Sequence, residues 1–288
     1  MKRYGSIAVA GIALALGASA HAGVVIDHDF TAGEGYVDGN LKWNNGWLGQ
    51  DGQTVDSTAG TVTSGGAWLR NCYGTGAHGG AAGAAGDSNG PGFNVGDVFQ
   101  IDVEMSLTLD TYGPGRETAI YGVTNGFADN GWNPAPVFGF KLDYNSWQDV
   151  TGGSVKLFGN KDSLDNGVAL IVSGNDVGLD PFNTGDMVSD VIGVSATYEM
   201  TAPGVFTATE LIFSNVDTAT TLLTASIDKP GALEAQAYTG LEAYFASYWT
   251  RSAASTSTDS VRFEYIPVPE PASLALISLG GLCMLRRR

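Results

Sequence analysis

The strongest constraint on the fold is a strict alternation of apolar and polar side chains along residues 99–110. The apolar positions are Phe99, Ile101, Val103, Met105, Leu107 and Leu109, with a polar residue at every position between them. A period of two places each set on its own face of an extended chain. The segment is therefore predicted to be a β-strand with one buried face.

Shorter runs rich in Val, Ile, Thr, Tyr and Phe, separated by clusters of Gly, Asn and Asp, predict further strands. They cover residues 118–123, 137–142, 155–158, 168–172, 191–200, 205–214, 221–227, 241–249 and 261–266. No motif recurs at a fixed period, so propellers and solenoids are excluded. The sequence predicts an all-β fold, in which residues 23–266 form one two-sheet antiparallel β-sandwich of the jelly-roll kind.

The connections also carry turn chemistry. Four Asn-Gly pairs supply residues that tolerate positive φ and predict tight turns: Asn45-Gly46, Asn125-Gly126, Asn130-Gly131 and Asn166-Gly167. Residues 74–92 are rich in glycine and alanine and predict a long loop, and residues 252–258 predict a second flexible stretch.

The charge of the chain excludes one class of partner. Five of its 14 basic residues lie in the two termini, whereas all 30 acidic residues lie within residues 23–271, which leaves that segment a net charge of about −21. Nucleic-acid binding draws its affinity from Lys and Arg, so we expect no nucleic-acid partner. Only two cysteines are present, Cys72 and Cys283, and they predict neither a disulfide framework nor a thiolate metal site.

Residues 1–22 have the pattern of a secretory signal peptide. Lys2 and Arg3 precede an apolar stretch, and Ala20-His21-Ala22 forms a small-x-small cleavage site before Gly23. We therefore expect the chain to be exported through the translocon.

The C-terminal residues 267–288 have a separate organisation. A largely apolar segment of fourteen residues, 272–285, follows a Pro-Glu-Pro sequence and precedes Arg286, Arg287 and Arg288. A comfortable membrane span needs about 20 residues, so the predicted hydrophobic helix is marginal as a permanent anchor. The three arginines are expected to hold its end in the cytoplasm, which leaves the body outside.

Pro269, Glu270 and Pro271, the hydrophobic segment and the closing arginines together resemble the bacterial PEP-CTERM sorting signal. This resemblance implies an exosortase-type membrane peptidase that recognises the Pro-Glu-Pro residues, cuts nearby and passes the body to the cell surface. The alternative is a plain C-terminal anchor, for which the Pro-Glu-Pro sequence has no explanation.

The body carries a looser resemblance. Phe30 to Trp47, with Gly33-Glu34-Gly35-Tyr36 and Asn45-Gly46-Trp47, is followed by a long all-β segment that ends in Asp259-Ser260-Val261-Arg262-Phe263. This pattern is similar to the concanavalin-like jelly rolls of lectins, glucanases and laminin-G-like domains. The resemblance implies a fold and gives no activity by itself.

Asp102 and Glu104 are the strongest candidates for catalytic carboxylates, since their spacing places both on one strand face. Jelly-roll glycosidases carry a Glu-x-Asp-x-x-Glu pattern. The sequence around Asp102 and Glu104 lacks both flanking glutamates of that pattern. A solvated strand face is the favoured interpretation, and no residue is assigned a catalytic role. No nucleophile elbow or HExxH motif is present either.

Two kinds of binding site remain open. Asp27 and Asp29 on one strand face, and Asp162 and Asp165 in an acidic turn, offer the oxygen ligands that calcium prefers, although ordinary surface acids are the favoured interpretation. The tryptophans expected in loops offer aromatic faces to sugar rings, and the alternative is that they close the ends of the sandwich. They are Trp43, Trp47, Trp132 and Trp147.

The sequence thus predicts an exported, non-enzymatic protein of the cell surface or extracellular matrix. The implied partners are the translocon and an exosortase-type peptidase, no cofactor is predicted, and a structural calcium ion is left open. A carbohydrate-binding module that contacts extracellular polysaccharide is the second hypothesis, and a polysaccharide hydrolase is the third.

Overall fold

A computed structural model describes most of the region predicted to form the body. The described residues are 23–49, 51–65, 69–74, 95–109, 117–124, 136–144, 153–158, 168–172, 174–178, 187–202, 205–226, 242–249 and 255–266.

Within these residues the chain forms seventeen strands, numbered here in chain order. They are β1 (Gly23–His28), β2 (Gly39–Asn40), β3 (Trp47–Gly49), β4 (Gln53–Asp56), β5 (Thr61–Gly65), β6 (Leu69–Gly74), β7 (Val98–Leu109), β8 (Glu117–Thr124), β9 (Pro136–Tyr144), β10 (Gly153–Phe158), β11 (Val168–Val172), β12 (Met187–Val188), β13 (Ile192–Ala202), β14 (Val205–Asn215), β15 (Thr220–Ser226), β16 (Glu242–Trp249) and β17 (Ser255–Ile266). Short 3₁₀ helices cover Ala32–Glu34 and Gly174–Val177.

The strands form two antiparallel sheets. The ten-stranded sheet has the order β15-β14-β13-β7-β17-β5-β4-β2, with β1 added beside β17 and β12 beside β7. The seven-stranded sheet has the order β11-β10-β9-β8-β16-β6-β3. Neighbouring strands are often distant in the chain, as where β7 lies between β13 and β17, so most pairings depend on the tertiary fold.

The two sheets pack face to face around one apolar core. The alternating apolar residues of β7 are all buried where the structure describes them, as Phe99, Ile101, Val103, Met105 and Leu107. Tyr121 of β8 crosses to the other sheet, since its hydroxyl oxygen lies 2.9 Å from both Met105 Sδ and Thr258 Oγ1. Tyr198 of β13 crosses in the opposite direction and donates a hydrogen bond to the Gly139 carbonyl of β9.

The two-sheet β-sandwich prediction is confirmed. Every strand predicted from the sequence is present, with bounds that agree within about two residues except at β17, which begins at Ser255 and not at residue 261. Residues 252–258 were predicted to be flexible, and this is wrong for Ser255–Thr258, which form the first part of β17. Thr256 and Thr258 face the core there, and the segment pairs with β5 on one side and β7 on the other. Tertiary pairing overrides the loop-like composition.

Candidate functional site

Trp43 and Trp47 lie at the two ends of one tight loop. The Trp47 amide donates to the Asn44 carbonyl at 3.0 Å, which closes a turn around Asn45 and Gly46. These two residues have φ values of 47° and 92°, the positive values that a type I′ turn requires. The Trp43 amide donates to the Trp47 carbonyl at 2.7 Å, so the loop is fixed at both ends.

A buried asparagine anchors this loop to the preceding segment. The Asn44 side chain donates to the Val37 carbonyl at 2.6 Å and accepts from the Val37 amide at 3.3 Å. Asn45 donates from its side chain to the Glu34 carbonyl at 3.2 Å. The loop therefore has one defined position over the body.

Trp47 is part of the core, with 0 % of its surface exposed. Its indole Nε1 donates to the Tyr36 hydroxyl at 2.7 Å, and its ring lies 6.1 Å from that of Phe30 and 6.3 Å from that of His28, measured between centroids. In this geometry the packing interpretation of Trp47 is favoured, because the ring offers no surface to a ligand.

Trp43 is the opposite case, with 55 % of its surface exposed. Its φ of 69° puts a bulky residue in the left-handed region, at a cost of about 1–2 kcal/mol. A ring that is more than half exposed gains less from burial to offset that cost than a core residue does. Such positions are concentrated at functional sites.

A small group of polar residues is linked to Trp43 through Lys42. Lys42 Nζ lies 5.8 Å from the centroid of the Trp43 ring, within the range of a cation–π contact, and 3.6 Å from Asp51 Oδ2. Asn40 donates from Nδ2 to Asp51 Oδ1 at 2.7 Å. Lys42 and Asn40 were detectable from their positions beside Trp43 in the chain, whereas Asp51 is brought there by the fold.

Asp27 and Asp29, the candidate calcium ligands of the N-terminal strand, are both exposed. Asp27 lies in β1, and Asp29 follows the end of that strand and donates its amide to Glu34 Oε2 at 2.8 Å. His28, between them, turns toward the aromatic cluster, where its ring lies 5.5 Å from that of Tyr36. Burial lowers the pKa of His28, and the charges of Glu34, Asp27 and Asp29 act against that shift.

Asp102 and Glu104 lie on the face of the ten-stranded sheet that points away from the seven-stranded sheet, opposite to the buried side chains of β7. Gln100 donates from Nε2 to the two carboxylate oxygens of Asp102 at 2.9 and 3.0 Å. Glu104 is exposed. This arrangement favours the interpretation that Asp102 and Glu104 belong to a solvated strand face.

An unpredicted acidic site lies next to Glu104. Between Thr258 and Ser260 the pairing of β17 with β7 shifts register, and Asp259 is the extra residue. Burial raises the pKa of Asp259 to about 6, and the charges of Glu104 and Asp217 add to the rise. This site could not be predicted from the sequence, because the register shift depends on the pairing of distant strands.

The remaining candidates lie outside the described residues: Trp132, Trp147, Asp162, Asp165, Pro269, Glu270, Pro271, Arg286, Arg287, Arg288 and the predicted helix of residues 272–285. In the part of the chain that is described, no three His, Cys, Asp or Glu side chains converge as a metal site would require. That part also contains no helix with the length and apolarity for a membrane crossing.

Comparison with protein families identifies the C-terminal segment. Residues 267–288 match the family described as the PEP-CTERM protein-sorting motif. The chain carries this sorting motif at its C-terminus. The resemblance of Pro269-Glu270-Pro271, the apolar stretch and the arginines to such a signal is confirmed, and the signal indicates an exported protein. The match covers 22 of the 288 residues and leaves the body unassigned.

Several solved structures are similar to the body. An endo-1,3-beta-glucanase from Streptomyces sioyaensis has 10 % identity and a TM-score of 0.48 over 85 % of this chain and 97 % of the glucanase. Winged bean acidic lectin, in complex with methyl-alpha-D-galactose, has 10 % identity and a TM-score of 0.46, and covers 84 % of this chain and 97 % of its own. Lectin II from Ulex europaeus has 12 % identity and a TM-score of 0.47, with 83 % and 97 % covered.

Lectins and a glucanase are thus both among the similar structures, as the resemblance of the body to lectin and glucanase jelly rolls anticipated. The description of the fold itself rests on the strand pairing. A comparison with curated proteins gave no match.

Proposed function

We propose that the chain is a non-enzymatic protein of the cell surface or extracellular matrix, delivered by its PEP-CTERM motif. The observation that carries this proposal is the match of residues 267–288 to the sorting motif, behind a β-sandwich body. Pro269, Glu270 and Pro271 form the element recognised by an exosortase-type peptidase, and Arg286, Arg287 and Arg288 hold the segment at the cytoplasmic face until it is cut.

The non-enzymatic part of the proposal is supported by the candidate carboxylates. Asp102 is held by Gln100, and Glu104 faces solvent on the outer face of a sheet. A retaining glycosidase needs an acid and a nucleophile about 5–5.5 Å apart across a bound sugar. Neither residue is supported in that role by its surroundings.

We expect Glu270→Ala to block processing of the C-terminus in a host with an exosortase-type peptidase. Mass spectrometry of surface material should find the native chain ending before Arg288, while the variant keeps Arg288 and stays in the membrane fraction. Pro267→Ala, which changes a proline outside the Pro-Glu-Pro sequence, is the control and should be processed like the native chain. Recovery of intact Arg288 from the native surface fraction would contradict the proposal.

A second candidate function is carbohydrate binding, and the exposed ring of Trp43 is the observation that favours it. The ring offers a face for a pyranose, and Asn40, Lys42 and Asp51 offer donors and acceptors for its hydroxyls. We infer a contact surface for extracellular polysaccharide made of these four residues.

Carbohydrate binding is tested by titrating the full chain with purified cell-surface polysaccharides and monitoring the tryptophan fluorescence. Trp43→Ala should weaken binding at least about tenfold, equivalent to about 1.4 kcal/mol, and Trp43→Phe should retain most of it because an aromatic face remains. Binding by Trp43→Ala at native strength would refute the assignment, as would a native chain that binds none of the polysaccharides.

A further inference from the structure

We propose that β15 is a self-association edge, at which a second copy of the chain adds its own β15 in antiparallel orientation. This strand ends the ten-stranded sheet, and among the described strands it pairs with β14 alone. The outer side of an edge strand presents a row of backbone N–H and C=O groups. Such a row is a template for another strand.

The sequence of β15 lacks the charged residues and prolines that often prevent edge pairing. Its seven residues, Thr-Thr-Leu-Leu-Thr-Ala-Ser, include no charge and no proline. Leu222 is the extra residue of an irregularity opposite Phe213 and Ser214, and the pairing from Leu223 to Ser226 is regular. A regular, uncharged stretch therefore remains for another strand to pair with.

The opposite end of the same sheet is protected. Its last strand, β2, has only two residues, and the adjoining loops carry Asp38, Lys42 and Asp51. Short edge strands and nearby charges are common means of preventing edge-to-edge pairing. The contrast between the two ends distinguishes β15 from an ordinary sheet margin.

The seven-stranded sheet presents a similar edge on the same side of the sandwich. The contact from Tyr198 to the Gly139 carbonyl places β13 over β9, so the sheet orders put β15 and β11 at the same margin. The residues of β11 are Val-Ala-Leu-Ile-Val, again without charge or proline. A second copy at this margin is positioned to continue both sheets.

A second copy is the occupant that the uncharged sequence of this edge favours, because two copies can meet at β15 without placing the acidic residues of their strands opposite one another. The segment 23–271 carries about 21 net negative charges, so two copies repel wherever acidic faces meet, and a basic partner would be drawn to those faces rather than to an uncharged edge. A strand paired antiparallel with its own copy satisfies a two-fold axis, because the same edge serves both partners. Threonines 220, 221 and 224 are exposed there, and Leu222 and Leu223 pack partly against the core.

Thr224→Lys compared with Thr63→Lys tests the proposal. Both threonines are exposed, but Thr63 lies in β5, which is paired on both sides. Each substitution removes one unit of net negative charge, so general repulsion between copies changes equally. Sedimentation equilibrium of the full chain should show a native dimer, a similar dimer for Thr63→Lys, and a dissociation constant raised at least about tenfold for Thr224→Lys.

Hydrogen exchange supplies a readout without substitution. Amides of residues 220–226 should gain protection as the native protein concentration rises, and amides of β5 should not. A native chain that remains monomeric at about 100 μM would overturn the proposal. A dimer that Thr224→Lys leaves unchanged would also overturn the proposal, and this is the result expected if the C-terminal segment drives association. A dimer that both variants weaken equally would overturn it as well.

Discussion

Gly139→Ala is expected to lower the free energy of unfolding by about 4 kcal/mol, a large part of the stability of an ordinary domain. A Cβ atom at this position would lie 2.1 Å from the Tyr121 carbonyl oxygen and 2.6 Å from Gly122 Cα. Both are backbone atoms, so rotating a side chain cannot relieve the overlap, and β8 and β9 must move apart. The Gly139 carbonyl also accepts the hydroxyl hydrogen bond of Tyr198, which joins the two sheets.

Urea denaturation of the full chain followed by circular dichroism measures this effect, and we expect the midpoint to fall by about 1–2 M. Gly33→Ala is the matched control, because a Cβ there meets only Thr31 Oγ1 at an ordinary 3.7 Å. Its stability should stay within about 0.5 kcal/mol of the native value. A Gly139→Ala variant as stable as the control would show that β8 and β9 are not as close as described.

The fold was largely predictable where the sequence of a single strand shows which of its faces is buried. The alternation in residues 99–110 depends only on one buried face, and β7 runs from Val98 to Leu109. The first six strands include several of two to four residues, too short for a period of two to stand out. Ser255–Thr258 were misassigned because serine and threonine suit loops and paired strands equally, and distant strands decide between the two.

The candidate site was less predictable, because burial depends on the whole fold. Trp43 and Trp47 have similar neighbours in the sequence, rich in Asn and Gly, yet one ring is exposed and the other lies in the core. The turn at Asn45 and Gly46 reverses the chain between them, and the sequence predicted that turn correctly. What the sequence does not contain is the position of Phe30 and Tyr36, which determines the side on which the core lies.

Trp47→Ala is expected to destabilise the body by about 3–5 kcal/mol, the range for removing a fully buried aromatic side chain. The substitution opens a cavity beside Phe30 and His28 and removes the indole donor to the Tyr36 hydroxyl. Trp47→Phe keeps an aromatic ring in the cluster and loses the hydrogen bond together with part of the volume. We expect that variant to lose about 1–2 kcal/mol.

The exposed neighbour provides the control for this prediction. Trp43→Ala should lower the unfolding free energy by only about 1–2 kcal/mol, clearly less than Trp47→Ala, since more than half of the Trp43 surface is exposed in the native state. The two tryptophans thus separate stability from binding. The loss of stability in Trp47→Ala is measured by urea denaturation, and the loss of affinity in Trp43→Ala is measured by titration with polysaccharide. If Trp43→Ala were as destabilising as Trp47→Ala, the Trp43 ring would be part of the core. The contact surface inferred for extracellular polysaccharide would then not exist.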